Sequence, residues 1–222
     1  MVNAFKLFGV CLLLSQLALC QRAASEHGSD RGASAPASVV AAASDGRSRE
    51  GVRGRVIEDA IEQTHVTTIY DPSYVKLEYP NGDVPLERGV CADVIVRAFR
   101  KGGVDLQKEI HEDIKRNFSA YPQRWGLTSP DPNIDHRRVA NLMVFFKRRG
   151  TELPSTTNGN DYRPGDVVVW ELGHDHPHIG IVTDVLAPGT DRYQVVHNIG
   201  AGATLEDVLF LWPIIGHYRY FQ

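Results

Sequence analysis

The sequence predicts an α+β fold, with N-terminal helices packed on a C-terminal antiparallel sheet. Two observations carry this: apolar residues recur at helical spacing up to about residue 149, and after Asn158 they fall into short β-rich runs broken by Gly, Pro, Asp and Thr. Runs of helix followed by runs of strand are the pattern of α+β domains, and no second linker divides the region after Glu50.

Each element follows from its residues. Val52 to Gln63 places Val56, Ile57, Ala60 and Ile61 on one helical face, and Thr64 to Tyr70 is rich in β-formers. From Gly89 to Arg100, Val90, Val94, Ile95, Ala98 and Phe99 share a face; the helix begins at Cys91, and Gly102-Gly103 stop it. His136 to Arg149 carries Val139, Leu142, Met143, Phe145 and Phe146, a helix of about three turns. Four strands are expected, at Asp166–Leu172, His178–Leu186, Tyr193–Asn198 and Gly216–Phe221. Trp125 and Trp170 are expected in the core.

Composition narrows the partners. A 222-residue chain that is 42% hydrophobic and 23% charged is globular rather than fibrous, disordered throughout or multi-spanning. Its formal charge of −3 is far from the basic balance of a phosphate-binding groove, so nucleic acid is not an expected partner. The chain opens with one lysine, Lys6, and an uncharged apolar run, Leu7 to Cys20, that is shorter than the ~20 residues of a membrane span. We read residues 1–20 as a secretory signal, with cleavage as late as residue 24, leaving no transmembrane span. Cys20 raises lipoprotein anchoring, but Leu19 is bulky for a lipidation site. Residues 21–50 are Ala- and Ser-rich without an aromatic, a disordered tether, and residues 51–222 form the domain. The expected location is exported, in the periplasm or cell envelope.

Cleavage leaves Cys91 as the single cysteine of the mature chain, so it is either an inert core thiol or a nucleophile. A helix N-terminus favours the thiolate, so Cys91 is expected to be partly exposed with a lowered pKa. A hairpin centred near Ala187-Pro188 would set His178 directly opposite His197 on one face of the sheet, with Ile179 and Ile181 on the other. One imidazole then serves as base and the other orients it.

These residues reach a resemblance. Tyr79-x-x-Gly82 twelve positions before Cys91, Pro164-Gly-Asp-Val-Val-Val-Trp170 before His178-Ile-Gly-Ile-Val, and His197 nineteen beyond His178 resemble the NlpC superfamily of papain-like cell-wall endopeptidases. The resemblance implies a papain-like NlpC-type fold, with Cys91 as nucleophile, His178 as base, His197 as orienting residue and Tyr79 beside the nucleophile. A closer match covers residues 52–222: Tyr70-Asp-Pro-Ser-Tyr, Gly89-Val-Cys-Ala-Asp-Val, His111-Glu-Asp, Asn133-Ile-Asp-His-Arg-Arg138, His197-Asn-Ile-Gly and Gly216-His-Tyr-Arg-Tyr resemble the bacterial domain-of-unknown-function family 1287.

The expectation is an exported cysteine peptidase or amidase that cleaves an amide bond, in peptidoglycan peptides, through a Cys-His-His triad and without a cofactor. Its partner is a cell-wall peptide or another envelope amide. Alternatives are an acyltransferase or amidase on another envelope substrate, a non-catalytic wall-binding domain, or zinc held by His174, His176 and His178. Asn198 is the alternative third residue of the triad, although strand alternation turns it to the opposite face from His197. Asp93, Asp135, His136, Arg137 and Arg138 are candidate substrate-binding residues, since arginine presents a planar fork to carboxylates; Asp135 capping a helix beside solvated arginines is the structural alternative.

Overall fold

A computed structural model describes residues 51–124, 126 and 128–222; residues 1–20, expected as a signal, with Cys11 and Cys20, residues 21–50, expected as a tether, and Trp125 lie outside the described residues. In chain order the helices are α1 (Gly51–Val66), α2 (Cys91–Lys101), α3 (Leu106–Arg116) and α4 (Val139–Arg149). Two short strands, β1 (Ile69–Tyr70) and β2 (Arg88–Gly89), pair in parallel before α2. After α4 come β3 (Thr151–Glu152), β4 (Val167–Glu171), β5 (Pro177–Leu186), β6 (Tyr193–Asn198), β7 (Ala203–Glu206) and β8 (Ile214–Arg219). They form one antiparallel sheet in the order β3-β8-β4-β5-β6-β7. Among the described residues no helix is long and apolar enough to cross a membrane.

The helices lie on one face of the sheet. Val56 and Ala60 of α1, Val94, Ile95, Ala98 and Phe99 of α2, and Leu142, Phe145 and Phe146 of α4 pack with Val167, Val169, Ile179, Ile181, Val196 and Tyr218. The other face is buried too: Val168, Trp170, Val182 and Val195 meet Tyr162, Val208 and Leu209 from the loops. Burial on both faces explains the uninterrupted Val167-Val-Val-Trp170, which does not alternate as a half-exposed strand does.

Several expectations are corrected. Thr64 to Val66 belong to α1, and only Ile69 and Tyr70 of that segment are strand. Gln63 is buried and donates from Nε2 to the Val94 carbonyl at 3.1 Å, while Thr67 N–H bonds to the Gln63 carbonyl; packing on α2 thus carries the helix past its β-branched residues. Helix α3 was not expected. Its marks are nonetheless local: Asp105 caps it by accepting from the Gln107 N–H at 3.1 Å, and Leu106, Ile110 and Ile114 recur every four residues. Helix α4 begins at Val139 rather than His136, because Asp135–Arg137 form a separate 3-10 turn with all three side chains buried. Asp135 is therefore not the cap of α4; it accepts from the Asp131 N–H and contacts His111 Nδ1 instead.

Candidate active site

Helix α2 is buried from Cys91 through Phe99 and carries the thiol at its first residue. Its start is fixed by the Asp93 side chain, which reaches back to accept the Val90 N–H at 2.7 Å. Arg137 then clamps Asp93 with Nε to Oδ1 at 2.9 Å and Nη2 to Oδ2 at 3.0 Å, both side chains nearly fully buried. The same guanidinium donates to the carbonyls of Ser73 and Asp71, so four of its five N–H groups bond within the protein. Asn198 lies on the helix-facing side of β6 and donates from Nδ2 to the Gly89 carbonyl at 3.0 Å, tying the sheet to the turn before Cys91. Each contact holds the start of the Cys91 helix rather than a ligand.

The hairpin register differs from the expected one. His197 stands across from Gly180, not His178, because the turn closes two positions later than expected, with Leu186 across from Tyr193, and the bulge in β5 between Val182 and Leu186 recovers only half of the resulting shift. Within it the Thr183 hydroxyl donates to the Gln194 carbonyl and accepts from the Val185 N–H, replacing ladder bonds. An offset of two residues preserves the face, so the imidazoles meet diagonally: His178 Nε2 lies 2.8 Å from His197 Nδ1. Gly180 makes this possible. A Cβ there would come within 2.7 Å of Val195 and 3.0 Å of the Trp170 ring, whose indole stacks on His178 at 5.6 Å between centroids. Trp170, buried as expected, donates from Nε1 to the Leu209 carbonyl, and Trp212 closes the far side 6.1 Å from both imidazoles. The far nitrogen of His197, Nε2, is 2.9 Å from Glu206 Oε2, a residue the sequence reading did not single out.

Cys91 and His178 open onto one cavity of about 720 Å³, with Tyr70, Tyr74, Arg124, Arg138, Leu172, Asp175 and His176 among its walls. The sulfur takes a backbone hydrogen bond from Ile179, the residue after His178, which places it against the start of β5. Electrostatics correct the expected lowered pKa. Burial pushes the Cys91 thiol up to about 11, with Asp93 adding to the rise, and outweighs the backbone hydrogen bonds of Ile179, Ala92 and Cys91 that favour the thiolate. Burial, with His197 beside it, pushes His178 down to about 3, and burial lowers His197 against the pull of Glu206. At rest, thiol and imidazole are both neutral.

The other candidates separate. Tyr79 is exposed, donates its hydroxyl to Glu112 and packs edge-on against His111, away from the cavity; Tyr70, whose own pKa is raised by burial and then by Cys91, is the tyrosine beside the thiol. Asp93, Asp135, His136 and Arg137 are buried and face inward, so of the five proposed substrate-binding residues only Arg138 lines the cavity. His176 is on its rim, whereas His174 is not among its lining residues. Among the described residues no three His, Cys, Asp or Glu side chains converge as a metal site.

Burial also sets a pH dependence. His136 is pushed down to about 4 by burial with Arg137 adding, and His178 to about 3. A histidine with a lowered folded pKa binds its proton more readily when unfolded, so its contribution is complete above about pH 6.5 and is lost as pH falls toward the folded value. Urea denaturation at pH 7.5 and pH 5.0 should show a lower stability at pH 5.0, on the order of 2 kcal/mol for each of the two residues. Equal stability at both pH values would contradict the buried neutral assignment.

The chain matches the family model described as Domain of unknown function (DUF1287) over residues 57–220. It is 54% identical over 167 residues to Uncharacterized protein YijF of Escherichia coli (strain K12), an alignment that covers 75% of this chain and 80% of the relative. No solved structure matches it. The family match spans the helices and the sheet that build the cavity, and the chain belongs to the DUF1287 family.

Proposed function

We propose that the protein is an exported cysteine peptidase or amidase of the NlpC-like, papain-type kind, acting on an amide bond in peptidoglycan peptides. The observation that carries this reading is the convergence of Cys91, at a helix N-terminus, with His178, itself hydrogen-bonded to the buried His197, at one open cavity. A thiol, a base and an orienting group in that order are the parts that nucleophilic acyl transfer needs.

In the mechanism, substrate fills the cavity, and His178 takes the Cys91 proton as the sulfur attacks the amide carbonyl carbon. The Cys91 and Ala92 N–H groups of the first turn of α2, which contact the sulfur at rest, turn to the developing oxyanion. His178 then gives its proton to the leaving amine as the C–N bond breaks, leaving a thioester on Cys91. Water, deprotonated by His178, attacks the thioester and releases a carboxylic acid and the neutral thiol. Because thiol and imidazole are both neutral at rest, proton transfer belongs to the step of attack. Cavity wall residues Arg124 and Arg138 present guanidinium groups suited to a carboxylate of the peptide.

The test is incubation of the purified mature protein with isolated cell-wall sacculi, with released fragments identified by mass spectrometry. The reading expects new amine and carboxylate ends within wall peptides. Sacculi whose peptides stay intact, beside turnover of another envelope amide, would move the activity to a different substrate.

A further inference from the structure

The two imidazoles do not end the hydrogen-bonded chain. Glu206 closes β7, paired by register with Val195, two positions from His197 and on the same face. His197 is entirely buried, whereas the Glu206 side chain is about half exposed, 49%, so the carboxylate meets solvent on one side and the ring on the other. Its Oε2 lies 2.9 Å from His197 Nε2, and His197 Nδ1 lies 2.8 Å from His178 Nε2.

These contacts admit one consistent direction. A carboxylate only accepts, so His197 must donate from Nε2. A neutral imidazole has one N–H, so His197 Nδ1 then carries the lone pair and must accept from His178 Nε2. His178 in turn has no hydrogen on Nδ1. We propose that Glu206 is a positioning residue that sets the tautomer of both imidazoles, leaving the basic lone pair of His178 on Nδ1. His197 alone cannot do this, because without an acceptor at Nε2 it is equally able to hold its hydrogen on Nδ1 and donate to His178. That arrangement would leave a hydrogen on His178 Nδ1 and no base there. The inference deepens the hydrolase reading, resting on His178 as the base, but the tautomers themselves are a property of the resting protein.

The test is long-range proton–nitrogen NMR of the 15N-labelled protein near pH 7.5, for the wild type, Glu206→Ala and Glu206→Gln. The wild type should show a single tautomer at both rings, protonated on Nε2 and bare on Nδ1. Alanine removes the acceptor, and glutamine keeps the shape but can turn either its oxygen or its NH2 to the ring. Both variants should therefore show a second, Nδ1-protonated population at His197 and at His178. Unchanged single tautomers in either variant, or a hydrogen on His178 Nδ1 in the wild type, would overturn the proposal. On a wall-peptide substrate the same variants should lose roughly tenfold or more in kcat with KM little changed. The spectra need no substrate. The expected tautomers in a wild-type protein that cleaves nothing would count against the hydrolase reading alone, while a Cys91-dependent hydrolase with unaltered tautomers in the variants would count against Glu206 alone.

Discussion

Replacing His178 by alanine is expected to remove almost all turnover, by roughly 10²- to 10⁴-fold, the range that general acid–base catalysis supplies. His178 lines the cavity with Cys91, and the sulfur rests against the next peptide unit of β5. His197→Ala should leave more activity, since it takes away an orienting partner at 2.8 Å and not the group that moves the proton. Asn198→Ala should act differently from both. Its side chain faces the helices and bonds to the Gly89 carbonyl, so its loss should lower the melting temperature, by about 1–3 kcal/mol of stability, and spare kcat measured well below that temperature. Steady-state kinetics and thermal melts of the three variants distinguish these outcomes. A severe loss of kcat in Asn198→Ala with a mild one in His197→Ala would reverse their roles.

Arg137→Ala should be among the most destabilising single substitutions, at about 3–5 kcal/mol, because it strands the buried Asp93 carboxylate without its bidentate partner. It also releases the carbonyls of Ser73 and Asp71, and with them the segment that brings Tyr70 and Tyr74 to the cavity. Lys147→Ala is the control. Its ion pair with Glu152 at 2.9 Å is exposed on both sides and should show no measurable change. Urea denaturation reads both. A small effect at Arg137 would mean that the Asp93–Arg137 pair does not hold the start of α2.

The catalytic candidates were legible because their signals are local. Cys91 follows a glycine turn and opens an apolar helix, and the two histidines sit on strands whose alternation can be counted. The register between the histidines was not legible, since it is set by where the turn closes, with Leu186 across from Tyr193, and by a bulge at Thr183–Val185 in which a hydroxyl replaces ladder bonds, neither of which periodicity encodes. The charges of Asp135-His-Arg-Arg138 suggested a ligand surface, yet three of the four turn inward; a buried ion pair and a solvent-facing one look alike in sequence. Motif spacing puts Tyr79 beside the nucleophile, whereas the pairing of β1 with β2 brings Tyr70 to the thiol, a contact that spacing does not encode. The raised thiol pKa was missed for a similar reason. A helix N-terminus is visible in the sequence, but the burial that outweighs it comes from the sheet packed against α2.

The most direct measurement of the thiol mechanism is intact-protein mass spectrometry of the mature protein mixed with isolated sacculi and quenched in acid. The mechanism predicts a peptide-sized mass increase that maps to Cys91, accumulates in His178→Ala no faster than in the wild type, and is absent from Cys91→Ala. An adduct on a different residue, or fragment release by a folded Cys91→Ala protein at the wild-type rate, would contradict it.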